Sequence, residues 1–412
     1  MKIFIKTIGC RLNQAESQTI ADELQQIGFF IVDEKENPDL IIVNTCAVTE
    51  KADKESKQII RSLKNKNPKA KIVMIGCCRF KLDEIDMFIE DKDKVVDVIR
   101  DNWGCGAPQL SHKNISGRTR TNIKIQDGCN NKCTYCITTL RRGKSKSIPI
   151  NNIIDDIKER EKQGYKEIVI TGVNIGEYLC KYKEGENVNE GEDGDLRLQH
   201  KSITLINLLQ EILNQTKIER IRLSSINPDY VYHNHEFIDL FNDPRMCRHL
   251  HLSLQSGSNQ ILEKMKRHYT REQYLEITET FYKAYPGFGF TTDVIVGFPG
   301  ETDEDFNDTL DLVQNCKFLK LHIFRYSKRP DTKAATMPDQ IDENIKVERA
   351  KKLEQVNQKL KKQFQDNMVG KEIEVLIEGE RDGYWLGTAG NFMKIKIESN
   401  KDLKNKIIKL KI

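Results

Sequence analysis

Residues Ile125 to Ser147 read IQDGCNNKCTYCITTLRRGKSKS. Cys129, Cys133 and Cys136 stand here in a Cys-x3-Cys-x2-Cys spacing, so one short loop can wrap three thiolates around a single metal centre. A four-iron cluster held by three thiolates is one ligand short. Its open iron can bind a substrate or cofactor, as the open position of a catalytic zinc does. Two plainer readings fit less well. A zinc ribbon needs a second Cys-x2-Cys pair, whereas Cys180, Cys247 and Cys316 downstream are isolated. A thioredoxin-like pair at Cys133 and Cys136 leaves Cys129 and the Asp-Gly and Asn-Asn turn residues unexplained.

The loop resembles the cluster motif of radical S-adenosylmethionine enzymes, with Tyr135 at the aromatic position that flanks the adenine in that family. The longer string GCNNKCTYC followed by RRGKSKS resembles the methylthiotransferases within it.

The chain has 412 residues, enough for two or three domains with separate cores. No apolar run approaches a membrane span, and the start MKIFIKTIGCRLN has neither an apolar h-region nor a cleavage site. A cytoplasmic protein with no membrane partner is therefore expected. Eleven cysteines, an odd number, then point to metal ligands and reactive thiols and away from disulfides. The net charge of +4 announces no nucleic acid, but its distribution is uneven. Six basic residues face one acidic residue between Lys124 and Lys146, among them Arg141, Arg142, Lys144 and Lys146. From Met393 onward seven lysines face Glu398 and Asp402. Two such patches suit a polyanion, and equally suit a solvated surface.

Up to about Arg100, short apolar runs alternate with helical patterns: KIFIKTIG, FFIVDE, DLIIVNT, KIVMIG and KVVDVI read as strands. Continuous apolar strands between helices predict a Rossmann-like parallel sheet. Cys10, Cys46 and Cys77 each fall just past the carboxyl end of such a strand, in TIGC, VNTC and MIGC, where an open α/β sheet forms its ligand crevice. Three converging thiols there predict a second cluster, with Cys78 as the alternative third ligand. TIGCRLNQAES, NTCAVTEKADKES and the Gly76-Cys77 pair resemble the N-terminal domain of methylthiotransferases, which favours Cys77 because the family's ligand directly follows the glycine. Cys105 lies in the Gly, Pro, Ser and Asn-rich segment Asp101 to Gly117, a predicted linker, and carries no assigned role; nor do Cys180, Cys247 and Cys316.

From Thr121 six strand candidates recur between helices: TNIKIQ, EIVITG, RIRLSS, HLHLSLQ, FTTDVIVG and LKLHIFRYS. Six β/α repeats predict a partial barrel with its chemistry at the carboxyl ends of the strands. Small and polar residues gather there: Thr171, Gly172 and Asn174, Ser224, Gln255, and Gly297. Glycines admit a ligand to the backbone, and the polar groups can bond it. Together they resemble the S-adenosylmethionine motifs of the radical family. The Gly-rich acidic stretch Lys181 to Ser202 is read as a surface loop over the site.

After Pro338 a charged helix, ENIKVERAKKLEQVNQKLKKQFQ, carries opposite charges four residues apart and is predicted to be mostly exposed. Gly370 to Ile412 reads as β, with Tyr384, Trp385 and Phe392 available to stack on bases. It resembles the TRAM domain, a small RNA-binding barrel.

The expected fold is thus α/β and multidomain: an N-terminal domain at 1–113 with the auxiliary cluster, a partial (β/α)6 radical barrel at 114–345, a connecting helix at 346–366 and the TRAM-like domain at 367–412. Within the methylthiotransferases, the N-terminal strings look like the branch acting on threonylcarbamoyladenosine in tRNA. The resemblance implies S-adenosylmethionine and two 4Fe-4S clusters as cofactors. The cluster at Cys129, Cys133 and Cys136 would cleave S-adenosylmethionine to a deoxyadenosyl radical, and the one at Cys10, Cys46 and Cys77 would hold the sulfur to be transferred. An external electron donor, a sulfur donor and a monomeric state are also expected. Isopentenyladenosine in tRNA, a ribosomal-protein aspartate, and a non-catalytic RNA-binding redox sensor are the rival readings.

Overall fold

The computed structural model describes residues 1–47, 50–104, 119–182 and 201–412. Cys105 and the core of the acidic stretch, 183–200, lie outside the described residues, as does most of the predicted linker. The chain divides into two units. One comprises Met1–Lys113, Cys136–Gly143 and Arg329–Asp331; the other comprises Asn114–Tyr135, Lys144–Lys328 and Thr332–Ile412.

In the first unit the strand Leu40–Thr45 is buried at every position. Its alternate residues serve two cores: Leu40 and Ile42 join Ile3, Leu24 and Val73 on one face, while Ile41 and Val43 join Ile60, Leu63 and Ile72 on the other. That double burial is why the sequence reads as an unbroken apolar run. The sheet is parallel throughout, in the order Phe30–Ile31, Lys2–Thr7, Leu40–Thr45, Lys71–Gly76, Met87–Phe88. The run KVVDVI is not its last strand. Val95–Trp103 is a helix, with Val95 and Ile99 buried four residues apart, and Met87–Phe88 takes the edge of the sheet. A short apolar run fits both periods, and here the i, i+4 pair prevails.

The second unit holds six parallel strands in chain order. Arg120–Lys124, Glu167–Thr171 and Arg220–Leu223 form one sheet; Ser225–Ile226, His249–Leu252, Gly289–Val296 and Lys320–Arg325 form the next. The third strand is broken at Ser224, where the chain passes from one sheet to the other. One side of this array, with Ile123, Ile168, Ile170, Leu223, Leu250, Phe290 and Val294, packs on the helices. Alternation turns Glu167, Arg222, His251, Thr291 and Asp293 to the opposite side. The ends of the acidic stretch are ordered as well: Leu179–Tyr182 and Lys201–Thr204 pair as an antiparallel hairpin where the sequence reads as loop.

The helix Glu343–Asp366 is less exposed than its charges suggest. Lys346, Arg349, Leu353, Asn357, Leu360 and Phe364 form a buried stripe at three- and four-residue spacing, and Asn357 Oδ1 accepts the Leu321 backbone N–H at 2.8 Å. The i, i+4 charges describe only its outer face. Beyond it, four antiparallel strands run in the order Lys394–Ile397, Tyr384–Ala389, Glu372–Arg381, Ile407–Lys411. This sheet docks on the amino ends of the parallel strands, away from their carboxyl ends. Arg120, the first residue of its strand, donates to Glu378 at 3.0 Å, Arg220 donates to the Thr388 carbonyl at 3.2 Å, and the His249 ring stacks on Phe392 at 4.4 Å. At Gly289 a Cβ would lie 2.1 Å from the Asn391 carbonyl oxygen, so only glycine permits the approach. Two of the three aromatics expected to stack on bases are thereby committed. Trp385 is buried with its Nε1 donating to Ser399 O, and Phe392 lies on His249; Tyr384 alone of the three keeps an exposed ring.

Candidate functional site

Gln126, immediately before the cysteine loop, organises its surroundings. Its Nε2 donates to Gly128 O at 2.6 Å and Ser145 Oγ at 2.8 Å, while its Oε1 accepts the Asn174 backbone N–H at 3.0 Å. A Cβ at Gly172 would stand 2.7 Å from that same oxygen, so Gly172 lets the second strand's end press against the loop. Glu177, on the turn after that strand, accepts from Cys129 Sγ at 3.2 Å and Asn174 Nδ2 at 2.9 Å on Oε1 and from the Asn130 N–H at 2.8 Å on Oε2. Burial, with the Glu177 carboxylate beside it, pushes the Cys129 thiol up to about 12. A metal ligand there must shed that proton on binding. Cys133 Sγ accepts from Arg267 Nη1 at 3.3 Å. Thr134 is pinned on both sides, its N–H and hydroxyl donating to Met265 O and Lys264 O and its carbonyl accepting from Ala334. Tyr135 packs against Ile261, Met265, Phe298 and Tyr326. In the first unit, Cys136 precedes the short helix Thr138–Arg142.

The remaining sequence-selected residues lie at carboxyl ends of parallel strands, as expected. Thr171 ends its strand, buried. Ser224 sits in the break of the third strand, and its Oγ is buried with no hydrogen-bond partner among the described residues. Gln255 follows the fourth strand with φ 69°, its N–H donating to Asp293 O. Gly297 follows the fifth with φ 71°, its N–H donating to Glu301 Oε2 at 2.7 Å. Glu301 is in turn held by Arg349 at 2.6 Å; burial raises its carboxyl despite that cation. Gln126, Glu177 and Arg267 were not singled out from the sequence. Each acts through a partner more than forty residues away, which no local pattern shows.

In the first unit, the registers Thr7↔Asn44 and Thr45↔Gly76 bring three adjacent strand ends level. Cys10, Cys46 and Cys77 follow those ends. Gly9, at φ 116°, passes so close to Cys46 that a Cβ would lie 3.0 Å from its Sγ. Asn13 and Asn44 brace the floor: Asn13 Nδ2 donates to Asn44 Oδ1 and Thr45 O, both at 2.9 Å, and Cys10 Sγ donates to Asn13 Oδ1 at 3.2 Å. Cys78 faces elsewhere. Its thiol donates to Cys46 O at 3.2 Å and Asp53 Oδ1 at 3.1 Å, and burial with the Asp53 carboxylate pushes it up to about 12. Asp53 is also held by Arg329 at 2.6 Å. Within this unit Arg142 is not a free cation for phosphate: its guanidinium pairs with the buried Glu16 at 2.7 Å, and Lys92 pairs with the same carboxylate.

Comparison with known proteins gives this geometry a family. Residues 123–313 match the model of the Radical SAM superfamily, and residues 2–99 match that of the uncharacterized protein family UPF0004. A threonylcarbamoyladenosine tRNA methylthiotransferase MtaB from Thermotoga maritima is 38% identical over 394 residues, 91% of this chain and 86% of that protein. The chain belongs to the radical S-adenosylmethionine methylthiotransferase family. The MtaB of Bacillus subtilis is 33% identical over 98% of this chain and 92% of its own length. A tRNA-2-methylthio-N(6)-dimethylallyladenosine synthase from a Thermoanaerobacter species is 36% identical over 91% and 82%. Among solved structures, the radical S-adenosylmethionine methyltransferase TsrM from Kitasatospora setae has a TM-score of 0.55 at 15% identity, covering 81% of this chain and 75% of that one. That likeness is one of fold.

The residues of this methylthiotransferase fit the four-iron cluster that its superfamily uses. The donor set at the loop is three thiols on one short segment, and a guanidinium is aimed at one of their sulfurs. Among the described residues no three His, Cys, Asp or Glu side chains converge as on a single ion.

Proposed function

We propose that this methylthiotransferase replaces the C2 hydrogen of N6-threonylcarbamoyladenosine in tRNA, beside the anticodon, by a methylthio group. The observation that carries the reading is the union, in one chain, of the Cys129, Cys133, Cys136 loop with a sheet whose three adjacent strand ends bear Cys10, Cys46 and Cys77. A C2–H bond on an aromatic ring has no useful acidity, so a general base cannot open it and radical chemistry is required.

Bound at the loop, a 4Fe-4S cluster would supply the electron that cleaves S-adenosylmethionine reductively, and a second one at the N-terminal sheet would hold the sulfur to be transferred. The protein holds and orients. Tyr135 offers an aromatic wall beside the adenine. Gly172 and Gly297 bring backbone close to the cofactor, and Thr171, Asn174, Ser224 and Gln255 present polar groups to it; the unsatisfied Ser224 hydroxyl is the readiest of them. Cys77, whose neighbour Cys78 is turned to Asp53, is the third auxiliary ligand. Residues 1–113 serve the auxiliary cluster, 114–345 the radical chemistry, 346–366 connect, and 367–412 form the TRAM-like domain, whose exposed Tyr384 and lysines face the polyanion.

Relatives named for threonylcarbamoyladenosine and for dimethylallyladenosine differ little in identity, so the base is decided by experiment. The iron-reconstituted chain is supplied with S-adenosylmethionine, sulfide and dithionite together with equal amounts of tRNA bearing each modified adenosine. Nucleoside mass spectrometry is expected to show methylthio transfer to threonylcarbamoyladenosine alone. Transfer to the isopentenylated base, or to neither tRNA in a chain that cleaves S-adenosylmethionine, overturns the assignment.

A further inference from the structure

Arg267 lies on the turn between the helices Asn259–Lys264 and Arg271–Ala284. Its guanidinium donates from Nη1 to Cys133 Sγ at 3.3 Å, from Nη2 to Asn227 Oδ1 at 2.6 Å and Ser253 O at 3.4 Å, and from Nε to Tyr269 OH at 3.3 Å. The Tyr269 ring covers it at 5.1 Å. No carboxylate is among these partners. The contrast within the chain is sharp. The five arginines buried among the described residues, Arg160, Arg220, Arg222, Arg329 and Arg349, each have one: Asp156, Glu167, Glu167 again, Asp53 and Glu301. Arg267 itself is half-buried, and because a guanidinium does not deprotonate in proteins, withdrawing it from water without a counter-ion carries a cost. Of the four acceptors around Arg267, a carboxamide, a carbonyl, a phenol and a thiol, only the thiol becomes an anion on binding iron.

We propose that Arg267 is the counter-charge of the cluster at Cys133, a positioning residue that makes that cluster easier to reduce. This rests on the reading of the loop as a cluster site. Reduction adds one electron, here from dithionite, to a centre already negative through its thiolates. A cation and hydrogen-bond donor at a ligating sulfur stabilises the more negative form, and cluster potentials follow net charge and hydrogen bonds to sulfur. No bond is made or broken.

The test is a mediated dithionite titration of the full-length reconstituted chain, followed by electron paramagnetic resonance in the absence of S-adenosylmethionine. A chain with Cys10, Cys46 and Cys77 replaced by Ala, which is left with the loop cluster alone, identifies the loop signal; the auxiliary signal of the full-length chain is the internal control. Arg267→Gln is expected to disfavour reduction of the loop cluster at least tenfold, about 59 mV for one electron, without moving the auxiliary signal. Arg267→Lys should restore most of it. An unmoved midpoint in a loaded Arg267→Gln chain overturns the proposal, including the case in which only S-adenosylmethionine affinity falls. If Arg267→Gln loads no loop cluster, iron counts decide: loading recovered in Arg267→Lys supports the counter-charge, and loading still lost in a folded Arg267→Lys chain overturns it. A wild-type chain with no S-adenosylmethionine-sensitive signal would instead refute the cluster reading itself.

Discussion

Arg222 grips Glu167 with two bonds, Nε to Oε1 at 2.8 Å and Nη2 to Oε2 at 3.3 Å, and reaches past it to the carbonyls of Ala389 and Gly390, both at 3.1 Å. Both side chains are fully buried. Burial raises the Glu167 carboxyl, yet Arg222 and Arg220 overcome it and pull it down to about 2. The pair therefore joins the parallel strands to the C-terminal sheet through charge as well as packing.

Glu167→Gln leaves Arg220 and Arg222 without their anion and should destabilise the second unit by about 3–5 kcal/mol, read from denaturant unfolding. Because the folded-state pKa is depressed, this contribution is complete above the ordinary carboxylate range and is lost as pH falls from about 4.5 toward 2. Wild type and variant should therefore differ at neutral pH and converge in acid. A constant difference down to about pH 2 would remove the charge from the explanation.

The same hydrogen bonds change what removal of residues 367–412 means. Truncation uncovers Arg222, His249 and the amino ends of the strands, so it should lower the melting temperature whatever the sheet does for RNA. The RNA role is better tested on exposed cations. Replacing Lys404, Lys406, Lys409 and Lys411 by Ala should weaken tRNA binding with the melting temperature unchanged. Its salt dependence should flatten by about one unit of log-log slope for each phosphate no longer neutralised. An unchanged slope reduces the sheet to a support.

Cys77 and Cys78 are neighbours with opposite expectations. Cys78→Ala removes a thiol that donates to Asp53 and the Cys46 carbonyl, and should keep about eight irons per reconstituted chain; Cys77→Ala should lose the auxiliary cluster and keep about four. The reverse result would exchange the two assignments.

Gly172→Ala sets a methyl group 2.7 Å from Gln126 Oε1, which braces both Asn174 and, through the same amide, Gly128. S-adenosylmethionine affinity should fall at least tenfold by isothermal titration in a chain that still loads iron. Retained affinity would show that this strand end does not line the cofactor.

The family was legible because its motif is local, Cys-x3-Cys-x2-Cys in one loop, and the parallel sheet was legible because Cys10, Cys46 and Cys77 follow apolar runs whose ends register with one another. What sequence could not show was direction. Phe392 and Trp385 look like stacking rings, but one lies on His249 and the other is buried, and neither partner is near in sequence. Arg142 reads as a phosphate ligand beside Cys136, yet it pairs with Glu16, 126 residues earlier. KVVDVI carries both a strand's apolar run and a helix's i, i+4 pair, and the fold decides between them through Val95 and Ile99. Arg267 is one arginine among many until Cys133, 134 residues away, is placed beside it.

Methylthio transfer to threonylcarbamoyladenosine is read out in cells by nucleoside mass spectrometry of total tRNA with and without the gene. The methylthio derivative of threonylcarbamoyladenosine should disappear from the deletion strain, with the unmodified threonylcarbamoyladenosine rising in its place. The intact gene should restore the derivative, and a gene carrying Cys129→Ala, Cys133→Ala and Cys136→Ala should not. A deletion strain with an unchanged nucleoside profile, or one that loses only the methylthio derivative of isopentenyladenosine, would contradict it.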